Sequence, residues 1–521
     1  MELLLTDKSM LRLADAPVLK GLLSKNQFKN DISGWITKSP SSSTTYVKIE
    51  RPVARIDRSD ALIPARRPPK KSIYFSSKKK ENFLVLYNFK LEKKKFLFVS
   101  LDGLIGDIAW QTKKEGHRVK YFIEEKSERQ IANGFVTKTN DWEKEVDWAD
   151  VIVFDDVLGH GKLAKNLRKK GKLVVGGTPY TDKLEDDRAF GQEELKRHKV
   201  HILPYKIFNF FDDGINYIKE NPGKYVLKPS GEAQNIKRLL FVGNEDDGSD
   251  VIRILTAYRN TWSEEVKEFQ LQKKVNSGVE IGVGAFFNGS EFIYPININF
   301  EHKKLFPGDL GVATGEMGTS MFWSGPNRLF NETLKKMEPT LKEEGYVGYI
   351  DINCIVNGTG IHPLEFTSRF GYPTISIQQE SFVTPIGEFL YKLAMGEDPK
   401  LKVKKGFHVG TRIVVPPFPY KDKKTFNSFA KDAVIVFKKY SEDGIHIEDV
   451  KKIKGEWLIT GHKGVALIVT GSGLTMKQAQ QQLQQRMANI IIPNMYYRKD
   501  IGDRWFEDSD KLHSWGYLRE N

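Results

Sequence analysis

Residues 348–371 constrain this chain more than any other stretch, because they alternate like a β-hairpin and place acids where a hairpin has no structural use for them. Ile350, Ile352, Cys354 and Val356 fall on one side with Leu364 and Phe366, while Tyr349, Asp351 and Asn353 fall on the other with Glu365 and Thr367. That is the period-2 pattern of paired strands with one core face. Asn357-Gly358-Thr359-Gly360 supplies the turn. With Gly358 at its centre, Asp351 and Glu365 are expected to be cross-strand partners, their Cβ atoms about 4.5–5.5 Å apart. Two opposed carboxylates repel unless a cation lies between them. Mg²⁺ prefers oxygen ligands, takes one or two carboxylates and leaves its other positions to water and phosphate. Asp351 and Glu365 therefore read as metal ligands, and Arg369 as a group that reaches a phosphate oxygen. The alternative is a surface hairpin whose acids pair with lysines from elsewhere. Lys228 favours the first reading, since a lysine ending a strand (Tyr225–Lys228) and entering Pro229-Ser230-Gly231 is placed to meet nucleotide phosphates.

Upstream, the pattern is that of a doubly wound sheet. Phe96–Ser100 is a buried-strand run followed by Asp102-Gly103 and Gly106, then a helical stretch to Glu115 and a strand at Arg118–Ile123. Val151–Phe154, a Lys-rich helix over 163–170 and Lys172–Val175 continue the alternation, which predicts parallel strands. Gly103 and Gly106 lack the full spacing of a dinucleotide fingerprint and read as a tight strand-to-helix turn. Beyond residue 200 the order is mixed. Strands are expected at 269–275 and 280–287, a helix over 329–344, and a β-rich unit over 405–515 containing a helix at 476–489 whose glutamines form its wet face. The fold class is therefore α/β and α+β, multidomain.

Charge separates one segment from the rest. Residues 1–95 carry 21 Lys/Arg against 9 Asp/Glu, a net of +12 out of +14 for all 521 residues. With prolines 52, 64, 68 and 69 and lysine triplets at 78–80 and 93–95, this reads as a partly flexible basic arm. A nucleic acid or an acidic partner is the sharper reading of it. The basic pI belongs to the arm and does not make the whole chain a nucleic-acid binder. One cysteine, Cys354, permits neither an internal disulfide nor a Cys-rich zinc site. No apolar run approaches membrane-spanning length, and MELLLTDKSM is not a signal sequence; a soluble, cytoplasmic protein without a membrane partner is expected.

Four ordered motifs over about residues 96–510 resemble the ATP-grasp ligases, and within them phosphoribosylamine–glycine ligase. Leu184-Glu185-Asp186-Asp187-Arg188-Ala189-Phe190 resembles the family's Leu-Glu-Gly-Ser-Lys-Ala-Phe. Glu301-His302-Lys303-Lys304 and Asp309-x-Gly311-x-x-Thr314-Gly315-Glu316-Met317-Gly318 resemble Asp-His-Lys-Arg and Asp-x-Gly-Pro-Asn-Thr-Gly-Gly-Met-Gly. Glu365-Phe366-Thr367-Ser368-Arg369-Phe370-Gly371 resembles Glu-Phe-Asn-x-Arg-Phe-Gly, and Tyr497–Gly502 the C-terminal signature.

The resemblance implies a pre-ATP-grasp domain over 96–200, a two-lobed ATP grip split into 201–265 and 266–400, and a β-rich C-terminal domain over 401–521, after a 1–95 extension. It implies an ADP-forming ligase of purine biosynthesis type that phosphorylates a carboxylate and lets an amine displace the phosphate. The implied cofactors are ATP and Mg²⁺, with Mn²⁺ as an alternative ion, and the implied carboxylate is glycine. Lys228, Arg188, Lys237, Gln272, Lys273, Val275 and Glu280 would hold the nucleotide, and Lys228 and Arg369 would serve the chemistry. His302, Lys303, Asp309, Gly311, Thr314, Gly315 and Gly318 would face the substrate. Thr367 occupies the position of the family's metal-ligand asparagine, with Asp351 supplying an acid on the neighbouring strand. The family's Gly-rich lid appears as Gly231–Lys237 with two glycines fewer, and its Arg-Glu-His as Leu104-Ile105-Gly106. A ligase using a different amine, such as a modified nucleotide, or a nucleotide-binding module without turnover, are the competing readings.

Overall fold

The structure, a computed structural model, describes residues 92–230, 240–262, 264 and 266–519, and four strands within the first 91 residues. The chain divides into two compact units, Met1–Glu92 and Lys93–Asn521. In the first, Glu2–Leu5 pairs antiparallel with Thr45–Lys48 and parallel with Ser72–Ile73, and Ile36–Lys38 pairs with Thr45–Lys48. The rest of the basic arm, and the whole lid Gly231–Lys237, lie outside the described residues.

The second unit opens with a five-stranded parallel sheet whose central strand, Lys95–Ser100, lies between Arg118–Ile123 and Val151–Phe154. Helices cover the sheet, so its central strands read as continuous apolar runs, and Phe96, Leu97, Phe98 and Val99 are fully buried. The helix Pro179–Asp186 starts where Thr178 and Thr181 close a capping box with Pro179 at the first helical position. It carries Glu185 towards the next domain.

Tyr205–Phe208, Tyr225–Pro229, Phe241–Val242 and Phe269–Lys273 form a small four-stranded sheet backed by helices Phe211–Glu220 and Ser249–Thr261. Because Phe269–Lys273 pairs with both Tyr205–Phe208 and Tyr225–Pro229, the small lobe's sheet runs past the boundary expected at residue 265. The large sheet has eight strands, and three of them, Phe407–Val414, Val465–Gly473 and Ile445–Ile447, come from beyond residue 400. Part of the C-terminal segment therefore extends the large lobe's sheet, while Val434–Phe437, Val450–Ile453, Glu456–Ile459 and Ile490–Ile491 form a four-stranded sheet of their own. The helix expected over 329–344 is two, broken at Thr333 between Arg328–Glu332 and Leu334–Glu344. Of the glutamines on Met476–Met487, Gln480 donates to the Ile501 carbonyl and Gln482 accepts from the Ser472 amide, so that face is not wholly wet.

The large sheet separates two environments. Its apolar face packs Ile281, Val283, Ile298, Phe300, Ile350, Ile352, Cys354 and Val356 into one core. Its other face carries Asn297, Asn299 and Glu301 from Phe292–Phe306, and Asp351 and Asn353 from Val347–Asn357. Gly282 and Gly284 make that polar face possible, because a Cβ on either would collide with Asn299 or with the Tyr349 hydroxyl.

His408, buried on this sheet, meets Ser472 Oγ at 2.8 Å and the Lys404 carbonyl at 3.3 Å. Burial holds its pKa down to about 4, from an ordinary 6.5. Between those values the unfolded chain binds this proton and the folded chain does not, so stability falls as pH drops from 6.5 to 4. The variant H408Q should lose that part of the slope when urea unfolding is followed across the window.

Candidate functional site

A cavity of 390 Å³ opens where the first sheet's last helices, the small lobe and the polar face of the large sheet meet, within the range of small-molecule sites. Arg188, Pro229 and Leu240 wall one side, Glu185, Arg369 and Tyr372 another, and Glu301, Lys303, Asn353, Glu365 and Thr367 lie across its floor. Thr314, Gly315 and Glu316 close it from the strand Leu310–Ser324.

The hairpin register differs from the expected one, and the difference moves the acids. The turn is centred between Gly358 and Thr359, and the ladder slips by one residue near Leu364, so Asn353 opposes Glu365 and Asp351 opposes Thr367. The even alternation could not reveal this bulge, which also leaves Leu364 against the cavity and not on the core face. Asp351 is accordingly not the cross-strand partner of Glu365. It is buried beneath the floor, where Asn299 donates to it at 2.7 Å and the Tyr349 hydroxyl at 3.1 Å. Burial, together with Glu301, pushes its pKa up to about 7.

Three other carboxylates converge instead. Lys303 Nζ lies 3.1 Å from Glu365, 3.3 Å from Glu301 and 3.3 Å from Glu280. Burial opposes the Lys303 charge, but Glu365, Glu301 and Glu280 outweigh it and hold the ammonium well above the ordinary lysine range. Lys303, with Arg188 behind it, holds Glu365 down to about 2, so that carboxylate is ionised throughout the physiological range. Asn353 donates to Glu301 at 3.0 Å and fixes its orientation. Glu280 thus belongs with the carboxylates around Lys303.

Among the described residues no group of three or more His, Cys, Asp or Glu is arranged to enclose a metal ion. The donors nevertheless fit a phosphate-borne Mg²⁺: a cation already rests between Glu301 and Glu365, and Asn353 and Thr367 beside them offer neutral oxygens, the hard donor set such an ion takes.

The phosphate side is basic. Lys228, on the small-lobe strand, donates to Gln272 Oε1 at 2.8 Å. Burial, reinforced by Arg188, brings its pKa down to about 8. Above that pH the ammonium is lost, so affinity for a polyanionic nucleotide is expected to weaken as pH rises through 8, measurable as a rise in the Kd for ATP. Arg188 donates to the Pro229 carbonyl at 3.1 Å, which ties helix Arg188–Arg197 to the same strand. Arg369 is held by Glu185 at 3.1 Å, and Glu185 in turn accepts the Ser368 amide at 2.8 Å.

Several expected site residues lie elsewhere. Lys273 turns outward over the Tyr225 ring, 4.2 Å from its centroid, so it is not a cavity residue. Val275 is half-buried just past that strand and does not line the cavity. His302 and Asp309 face Arg498 and not the cavity: the guanidinium lies 3.1 Å from His302 Nδ1 and 2.8 Å from Asp309. Gly311, at φ 81°, packs against the Phe306 ring, and Gly318 lies against the Gly410 carbonyl. Thr314 lines the cavity and donates to the Lys303 carbonyl at 2.8 Å.

Glu185, Glu301, Asn353 and Glu316 were not singled out from sequence. Three of them sit inside quoted motifs, and Asn353 lies one alternation step from Asp351.

The fold around this cavity is that of an ATP-grasp domain. Residues 186–375 match the family model described as phosphoribosylglycinamide synthetase, ATP-grasp (A) domain. The chain is similar to phosphoribosylamine–glycine ligases. It is 24% identical over 339 residues to the phosphoribosylamine–glycine ligase of Lactococcus lactis, covering 64% of this chain and 78% of that one. The Streptococcus pneumoniae enzyme of the same name is 24% identical over 391 residues, covering 70% and 85%. In fold it resembles the crystal structure of phosphoribosylamine–glycine ligase from Thermotoga maritima, with a TM-score of 0.57 at 19% identity over 78% of this chain and all of that one. It also resembles the biotin carboxylase domain of Hydrogenobacter thermophilus 2-oxoglutarate carboxylase, solved with MgADP and bicarbonate, at a TM-score of 0.56 and 14% identity over 82% of this chain and 96% of that one. No described helix is long and apolar enough to cross a membrane.

Proposed function

We propose that this site binds ATP with Mg²⁺, transfers the γ-phosphoryl group to the carboxylate of a small substrate, glycine in the first instance, and couples the resulting acyl group to an amine with release of ADP and phosphate. The observation that carries the proposal is the cation-centred carboxylate floor, Lys303 between Glu301 and Glu365, facing Arg188 and Arg369 across one cavity, with Lys228 within electrostatic reach of Glu365 and Lys303. Phosphoryl transfer asks little covalent chemistry of a protein; positioning and charge neutralisation do most of it.

In this reading Lys228 and Arg188 hold the phosphate tail from the small lobe. Glu365 and Glu301, with Asn353 and Thr367, would hold Mg²⁺, which when bound neutralises charge on the phosphates. Lys303 then leaves its carboxylate cage and turns to the transferred phosphoryl or the substrate carboxylate. Arg369, pre-oriented by Glu185, stabilises the developing acyl phosphate. Gln272 is nearly fully buried with its Nε2 unpartnered, which suits a contact to the nucleotide. Thr314 and Gly315 stand on the substrate side.

Purified protein with Mg²⁺ and ATP, screened for ADP release with glycine and candidate amines, tests this. Release that requires both the carboxylate and the amine supports it; ATP binding with no ADP release on any pair contradicts it.

A further inference from the structure

Glu316 is the cavity group that the phosphate chemistry leaves unused. It lies on the strand Leu310–Ser324, lines the cavity beside Thr314 and Gly315, and is only 6% exposed. Its backbone carbonyl is taken by Arg412 Nη1 at 2.7 Å, but the Arg412 guanidinium is spent on Glu448, at 2.8 Å and 2.6 Å. The Glu316 side-chain Oε1 has no hydrogen-bond partner at all. A buried carboxyl oxygen without a donor costs free energy unless a ligand supplies one.

The surroundings say what kind of donor. The charged groups acting on Glu316 are Glu301 and Lys303 from Phe292–Phe306, Asp351 from Val347–Asn357 and Arg412 from Phe407–Val414. Lys303 is shared among Glu280, Glu301 and Glu365, and Arg412 is committed to Glu448. This corner therefore holds more acid than base, and its unpartnered Oε1 calls for a ligand that donates hydrogen and carries positive charge. Glu316 also stands where the ligase motif it resembles has glycine, so the acid is this chain's own addition to the substrate side.

We infer that Glu316 is the residue that receives the acceptor amine, which enters as an ammonium ion and gives its proton to the Glu316 carboxylate. The inference rests on the ligase reading above. The ammonium donates to Glu316 Oε1, and one proton passes from nitrogen to the carboxylate. The nitrogen lone pair then forms the C–N bond to the acyl phosphate carbon as the C–O bond to phosphate breaks. Phosphate leaves with the electron pair, and the second proton lost from nitrogen goes to it or to water. Burial and the neighbouring Glu301 favour the neutral acid in the empty site, so Glu316 serves as a base once the ammonium bound at its Oε1 has stabilised the carboxylate.

The test uses the full chain with Mg²⁺, ATP and glycine, and one of two nucleophiles: ammonium chloride, protonated at neutral pH, or hydroxylamine, uncharged there and competent without a base. Wild-type protein should form glycinamide with the first and glycine hydroxamate with the second. The near-isosteric E316Q should lose about 10²-fold of its rate with ammonium at pH 7 and keep its rate with hydroxylamine. Its remaining ammonium reaction should climb with pH, whereas the wild-type profile is flatter. Equal rates and profiles for E316Q and wild type would overturn the inference, as would equal losses with both nucleophiles or wild-type turnover with hydroxylamine alone. No wild-type product with either nucleophile would instead overturn the ligase reading, and this inference with it.

Discussion

Glu365→Ala is expected to cut ATP-dependent turnover by at least about 10²-fold, the scale on which single preorganised charges act in such sites, while leaving the fold intact. Glu365 stands at the cavity, half-exposed, with Lys303 holding it ionised. Its removal leaves Lys303 with Glu301 and Glu280 and strips the site of the carboxylate best placed to meet a phosphate-bound cation. Because little apolar surface is lost, the thermal midpoint should barely move. Asp351→Asn provides the contrast. Asp351 lies beneath the floor between Asn299 and Tyr349, with a pKa raised to about 7 and therefore partly neutral already. Turnover should survive this change within a few-fold. Steady-state ADP release from the two variants separates the observed register, Asn353 opposite Glu365, from the alternative with Asp351 opposite Glu365. Equal losses would mean that Asp351 is a direct participant.

Arg498→Ala should cost about 3–5 kcal/mol of stability, the usual penalty for breaking a buried ion pair from one side. Arg498 is 1% exposed and gathers five contacts: Asp500 at 2.8 Å and 2.6 Å, Asp309 at 2.8 Å, the Lys304 carbonyl at 3.0 Å and His302 at 3.1 Å. It ties the C-terminal signature to the strand that carries Lys303 and to the turn that leads into the strand of Glu316. Truncation strands Asp500 and His302 and frees the loop between those strands. Urea unfolding should show the loss, and any remaining activity should show a raised KM for the acceptor side before a lowered affinity for ATP. Arg498→Lys should rescue little, because one ammonium cannot span the same partners. A loss below about 1 kcal/mol would show that the lock contributes little and that Asp309 and His302 are free to serve a substrate.

Much of this arrangement was legible in the residues. The apolar runs of the first sheet announce parallel strands buried on both faces, and Ile350–Val356 announces a strand with one core face. Arg369 and Glu365, which line the cavity, are recognisable because strand ends and turns place charged groups there. Their pairing was not legible. Period-2 alternation gives the face of a residue but not its partner, and a single bulge near Leu364 shifts the partner of Glu365 from Asp351 to Asn353. His302 and Asp309 were misplaced for a related reason. Their partner Arg498 lies almost 200 residues away, and nothing local announces that a C-terminal arginine folds back on them. Glu316 was passed over because it differs from the motif around it, although such a departure is where a site can acquire its own specificity.

The central claim is that the cavity activates a carboxylate by phosphorylating it. Glycine labelled with ¹⁸O in its carboxyl group, incubated with the protein, Mg²⁺, ATP and an acceptor amine, tests it directly. An acyl phosphate intermediate requires one labelled oxygen to leave with the phosphate, so inorganic phosphate should carry one ¹⁸O for each ADP formed. Unlabelled phosphate, or AMP and pyrophosphate in place of ADP, would contradict the account.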